Sequence, residues 1–146
     1  MDIKAKIEEI VEKLTFIFLA VFCLAITGCN NIEKSRNYFD EGVNLMMRKG
    51  DFAEAEKDFT KAIKYDKTNP ELFYYRGCAK FNEGKYKDAI ADFEKAIEIK
   101  PNYADAYFTL GRTYSVMHDT DMSCYYYKMA EKYGRPNMHD LVKYCP

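Results

Sequence analysis

The sequence predicts an all-α chain: a solenoid of three stacked helical hairpins, a short capping helix after them and an apolar helix before them. Three observations predict it. First, a set of residues recurs at a spacing of 34: Gly50, Phe52, Ala55, Asp58, Phe59, Lys61, Ala62 and Ile63 return as Gly84, Tyr86, Ala89, Asp92, Phe93, Lys95, Ala96 and Ile97, and part of the set again as Tyr127 and Ala130. A fixed period of this length means one supersecondary unit stacked on copies of itself. Second, apolar residues keep helical spacing. Tyr86, Ala89, Ile90, Phe93, Ala96 and Ile97 share one face, and Lys85, Lys87, Asp88, Asp92, Glu94 and Lys95 fill the other. Third, the punctuation is short and regular. Glu83-Gly84-Lys85 suits an antiparallel helix pair, and Pro70 and Pro101 stand where a preceding helix should stop.

The first element, residues 1–28, differs in composition from the rest. Leu14 through Ile32 carry no charge, and Phe16 to Ile26 is strongly apolar. The run ends in Ile26-Thr27-Gly28-Cys29, which resembles the bacterial lipobox. That resemblance implies cleavage between Gly28 and Cys29, lipid on the Cys29 thiol, and a bacterial cell-envelope protein whose repeats lie outside the cytoplasm. Two or three acyl chains hold a protein at a membrane stably, where one is marginal. Residues 29–35 then form a short tether. Met1 to Lys13 is unusual for a signal, because Asp2, Glu8, Glu9 and Glu12 stand among its lysines and Ile3, Ile7, Ile10, Val11 and Leu14 form a helical stripe. The competing reading is an uncleaved membrane anchor, since the uncharged run is about 30 Å long as a helix.

The three hairpins occupy residues 36–69, 70–103 and 104–137. Their helices are expected at 35–48, 52–66, 70–83, 86–100, 104–117 and 120–133, with Ser35 and Asp51 as N-caps. Phe39, Phe73 and Tyr107 share one register and Gly77 pairs with Gly111. Small residues (Gly77, Ala89, Ala96) let helices approach, and aromatics fill the space between. The unit resembles the tetratricopeptide repeat, through Tyr107, Leu110, Gly111 and Tyr114 in the third copy and Ala89, Phe93, Ala96 and Pro101 in the second. The resemblance covers residues 36–137 and implies a right-handed α-solenoid. Departures from the pattern are Arg76 for Leu, Lys80 for Tyr, His118 for Gly and Ser123 for Ala; Gly42 stands one place early, leaving Val43 at the close-packing position. Residues 138–146 follow Gly134 and Pro136. Met138, Leu141, Val142 and Cys145 share a face there, which reads as a capping helix over the open end of the stack.

The resemblance also implies a concave groove lined by the first helix of each unit. Carried onto this chain, the partner-binding candidates are Asp40, Asn44, Met47 and Arg48, then Tyr74, Cys78, Phe81 and Asn82, then Phe108 and Arg112. Tyr74, Phe81 and Phe108 suit the anchors of an extended or helical peptide. Members that clamp a terminal carboxylate use cationic groups where Asp40 and Asp105 stand, and only Asn44 matches, so that subclass is excluded. The expected partner is a protein or peptide, with the chain a non-enzymatic scaffold that assists assembly of an envelope complex. The alternative is a membrane-tethered spacer whose groove is filled by its own N-terminal segment.

Composition narrows the classes further. Of 22 basic and 23 acidic residues, 1–28 hold three and four, which leaves 19 of each sign. A balanced domain is no nucleic-acid binder, which needs a net basic face. The two histidines, His118 and His139, are too few for a metal cluster or a triad. No phosphate loop is present, so neither cofactor, metal nor small-molecule substrate is expected. With Cys23 and Cys29 set aside, Cys78, Cys124 and Cys145 remain. Cys124 and Cys145 are either bridged, fastening the cap, or two buried small hydrophobes. Tyr125, Tyr126 and Tyr127 cannot all be buried by one helix, so one of the first two either faces solvent or covers the C-terminal edge.

Overall fold

The computed structural model describes residues 3–143 and 145, with side chains described for 10–19, 30–143 and 145. Helix α1 runs from Ile3 to Asn44 and passes into a π-helical turn, Leu45–Lys49. There follow α2 (Phe52–Tyr65), α3 (Pro70–Asn82), α4 (Tyr86–Ile99), α5 (Ala104–Val116), α6 (Thr120–Lys132) and the short α7 (His139–Val142). Each helix packs on the next, and no strand occurs among the described residues.

Sequence signals account for the helix starts. Asp51, Asn69 and Asp119 accept hydrogen bonds from the backbone N–H groups of Glu54, Glu71 and Met122. Each such cap contributes about 1 kcal/mol. Ser35 differs from its expected capping role. Helix α1 continues upstream of it, so there is no free helix end to cap. Its buried hydroxyl donates instead to the Ala62 carbonyl at 3.0 Å, tying α1 to α2. Residues 29–35 are accordingly helical rather than a loose tether.

The core is a column of rings set against glycines. Phe59 and Phe93 are fully buried and Tyr127 nearly so. A Cβ placed on Gly42, Gly77 or Gly111 would lie 2.8, 2.7 and 2.5 Å from these three rings, so each glycine is a seat for one. Gly42 therefore does the work of Gly77 and Gly111, and Val43 does not take the close-packing position. Gly42 and Gly50 are eight positions apart, whereas Gly77 and Gly84 are seven apart. The π-turn absorbs the extra residue: the Gly50 N–H donates to the Leu45 carbonyl, five residues back. Upstream of that turn the first unit is out of step with the others by one residue. Tyr38, not Phe39, matches Phe73 and Tyr107. Tyr38 stacks on Tyr65 at 5.9 Å and Tyr107 on Tyr133 at 5.1 Å, at equivalent places.

The departures from the repeat pattern have physical partners. Asp92, buried on α4, takes a two-pronged contact from Arg76 (2.6 and 2.9 Å) and one from Lys80 (2.8 Å), both on α3. In the third unit the places of Arg76, Lys80 and Asp92 hold Leu110, Tyr114 and Tyr126, and the two tyrosines stack at 5.4 Å. One buried site is thus filled by an ion cluster in one unit and by rings in the next. His118 repeats the left-handed turn of Gly50 and Gly84, with φ 61° against 65° and 78°. The last turn is held by Met138, which is buried against Tyr107, Tyr127 and Ala130. Leu141 is exposed, so α7 buries a narrower face than the sequence suggests. Cys124 and Cys145 form a disulfide that joins α6 to the end of the chain.

Candidate functional site

Helices α1, α3 and α5 form one layer and α2, α4 and α6 the other. Helix α3 touches α5 directly, while no comparable contact joins α4 and α6. The first layer is therefore the inner side of the stack. On it lies a row of three rings: Phe39, Tyr74 and Phe108, each half-buried. Their centroids stand 5.9, 5.9 and 5.8 Å from Phe59, Phe93 and Tyr127, so every core ring carries one inner-face ring on its edge. Such ring pairs add about 1 kcal/mol beyond burial. They also hold a regular apolar row in place on a rigid support.

The row ends in different charges. Beyond Phe108, the Arg112 guanidinium lies 5.3 Å from the Phe81 ring and 5.9 Å from Phe108, and that of Arg135 lies 4.0 Å from Phe108. Arg135 pairs with Asp105, whereas Arg112 has no carboxylate partner among the described residues. At the other end a cavity of about 640 Å³ opens between α1 and α3, bounded by Ile32, Arg36, Phe39, Asp40, Glu71 and Leu72. Cys78 sits midway, packed with Tyr74 against the cluster of Ala89, Phe93 and Leu110. Burial pushes the Cys78 thiol up to about 11 and Tyr74 up to about 12. Both stay protonated near neutrality, which makes Cys78 a packing group rather than a nucleophile.

Of the candidate groove residues, Tyr74, Cys78, Phe81, Phe108 and Arg112 come together on this face. Asn82 is exposed and donates to the Cys78 carbonyl at 2.8 Å. Met47 and Arg48 lie exposed in the π-turn. Asp40 lines the cavity, but the one-residue offset gives its place in the repeat to Phe39 and that of Asn44 to Val43. The last match to the carboxylate clamp, Asn44, is lost with it. Phe39 was legible in the unequal glycine spacing, eight against seven. Gly28 and Cys29, the expected cleavage and lipidation positions, lie outside the described side chains. Among the described residues no helix is long and apolar enough to cross a membrane.

A model described as tetratricopeptide repeat matches residues 35–69, and one described as TPR repeat matches residues 77–115; together they span about half of the chain. The chain is built on tetratricopeptide repeats. Tetratricopeptide repeat protein 13 of Homo sapiens is 29% identical over 89 residues, 61% of this chain and 10% of that protein. The Hsp70-Hsp90 organizing protein of Triticum aestivum is 36% identical over 76 residues, 52% of this chain and 13% of that one. The chain thus matches only about a tenth of the length of these curated relatives. Among solved structures, the Arabidopsis OM64 TPR domain superposes with a TM-score of 0.72 at 19% identity, covering 77% of this chain and 93% of that one. The first TPR of Spaghetti (RPAP3), bound to the HSP90 peptide SRMEEVD, gives 0.70 at 21%, covering 77% and 90%. MamA gives 0.63 at 27%, covering 68% and 54%. The two domain structures fix the arrangement of the tetratricopeptide helices over most of this chain.

Proposed function

We propose that the chain is a non-enzymatic scaffold that holds a segment of a partner protein across the inner face of its repeats. In this reading it is lipid-anchored through Cys29 in a bacterial cell envelope and assists assembly of an envelope complex. The observation that carries the binding role is the row Phe39, Tyr74 and Phe108, three half-buried rings at one register on rigid helices. Aromatic anchors on a preformed support lose little entropy on binding and supply the apolar contact that dominates peptide affinity. Arg112 at one end and Asp40 with Glu71 at the other give the row a direction. A segment with an acidic residue toward α5 and a basic one toward α1 fits it. An HSP90 peptide bound to a structurally similar domain supports the class of ligand. The disulfide Cys124–Cys145 suits an oxidising compartment, and the exposed apolar residues of α1 between Ile10 and Leu19 suit a membrane-targeting role.

The spacer alternative requires the chain's own N-terminus in the groove. Residues 10–19 instead continue α1 outward and are exposed. A photo-reactive residue at Arg112, on the inner face, tests the scaffold against one at Glu94, exposed on α4. A protein adduct at 112 that is absent at 94 and disappears with Tyr74→Ser and Phe108→Ser is the expected result. The same adducts at both sites, unaffected by those changes in a folded chain, would remove the groove reading.

A further inference from the structure

Helix α1 belongs to two parts of the chain at once. Its last turns are the first inner helix of the stack, locked to α2 by the Ser35 hydrogen bond to Ala62, by the Tyr38–Tyr65 stack and by the Lys34 ammonium 5.7 Å over the Tyr65 ring. Upstream the same helix exposes Phe16, Ile17, Phe18 and Leu19 by 66, 60, 79 and 60%. Four consecutive helical positions point to nearly all sides of the rod. A protein surface covers one side of a helix; a helix that is apolar all round needs a medium that surrounds it, which a bilayer provides. Between these two regions α1 has no break, since it is one helix from Ile3 to Asn44.

We propose that α1 is a rigid strut that presents the repeats edge-on to the membrane, so that the row of rings on the inner face runs parallel to the bilayer. This rests on the membrane attachment proposed above in the form that keeps α1 whole, the uncleaved anchor rather than a lipid on Cys29 of a cleaved chain. Successive helices are antiparallel, so α3 and α5 point the same way as α1. The strut leaves from the edge where α2 and α4 end, which is the edge of the turns at 66–69 and 100–103. Those turns face the headgroups, and the turns at 83–85 and 117–119 face away. From Cys29 to Ser35 the helix rises only about 9 Å, so an apolar segment that ends near residue 29 places the near edge close to the headgroups. The 13 residues of α3 separate the two edges by about 20 Å. The row of rings crosses α1, α3 and α5 in turn and therefore lies along the membrane. Its occupant is a segment that runs along the bilayer surface, supplied by a partner that is itself membrane-associated.

The test uses the full-length chain in bacterial membranes, with a benzophenone amino acid placed singly at Ile32, Lys67, Asn102, Lys87 or Asp121. All five are exposed. Phospholipid adducts are expected at 32, 67 and 102, and none at 87 and 121. A flexible Gly-Ser octapeptide inserted between Asn31 and Ile32 is expected to abolish the contrast between 67 and 87. Adducts at 32 alone, equal adducts on both edges, or a contrast that survives the insertion would overturn the strut while leaving the anchor intact. No lipid adduct at any position, with the chain in the soluble fraction, would overturn the anchoring and the strut together, and would leave the binding role of the inner face standing.

Discussion

Asp92 answers two cations at once, and its neighbourhood shows how one repeat position tolerates opposite chemistries. The carboxylate is 6% exposed, and the side chains of Arg76 and Lys80 are 18% and 14% exposed. Removing one partner from such a cluster leaves charge unanswered in a poorly hydrated place. Asp92→Asn is therefore expected to cost about 3 kcal/mol in urea unfolding. Putting the third unit's residues there together, Arg76→Leu with Lys80→Tyr and Asp92→Tyr, is expected to leave stability unchanged or raise it, since rings fill that volume without a desolvation cost. A triple variant weaker than Asp92→Asn would contradict this account. Cys78 is shielded by its surroundings as well. Its thiol is held near 11 against an ordinary 9.0, so its alkylation at neutral pH should be about 100-fold slower than in the unfolded chain. The same shift makes the folded state hold the proton more tightly. Its contribution to stability is full below about pH 9 and is lost as pH rises through about 11. Alkylation of Cys78 at the unfolded rate would refute this half-buried placement beside Tyr74.

The helices themselves were legible because each rule that marks them is local. Apolar spacing, Asp51 and the prolines placed α2 to α6 close to their observed bounds. The first unit was harder, because a single extra residue shifts the whole of its first helix by about 100° relative to the 34-residue count. The sequence carries that insertion only as an unequal distance between two glycines. What decides the register is three-dimensional: Phe59 needs a seat with no Cβ, and Gly42 supplies it. The chain meets that need by over-winding nothing and adding one wide turn, Leu45–Lys49. Met47 is 73% exposed in that turn, and its deletion should convert the π-turn into ordinary α-helix. Thermal unfolding of the deletion variant is expected at the same temperature as the parent or above it; loss of cooperative unfolding would show that the glycine seat is not what sets the register. At the other end, the disulfide closes a loop of 21 residues around the cap. Cys145→Ser should lower stability by about 3 kcal/mol by chain entropy, measured against the parent under non-reducing conditions. An unchanged midpoint would leave the cap held by Met138 packing alone.

On the scale of the whole molecule, three repeats are near the least that can stack stably, so most side chains that look functional also carry packing. Tyr74 and Phe108 illustrate this: each rests on a core ring and half faces the groove. The lining positions carried over from the resemblance found them; the same positions gave Asp40 in the first unit, where the extra residue puts Phe39 instead. The charged ends of the row were less visible. Arg135 lies outside the inner helices, and only the fold brings it over Phe108. The long α1 was divided by the sequence into signal and tether, while the structure makes it one rod, because nothing in Asn30 to Ser35 stops a helix.

A partner segment that lies across α1, α3 and α5 on the row of rings covers their backbone and leaves α2, α4 and α6 open. Backbone hydrogen exchange of the full chain, alone and with the partner captured at position 112, reads that difference. The expected result is slowed exchange in 36–43, 71–78 and 105–112, with α2, α4 and α6 unchanged. Slowing confined to α2, α4 and α6, or spread evenly over both layers, would contradict it.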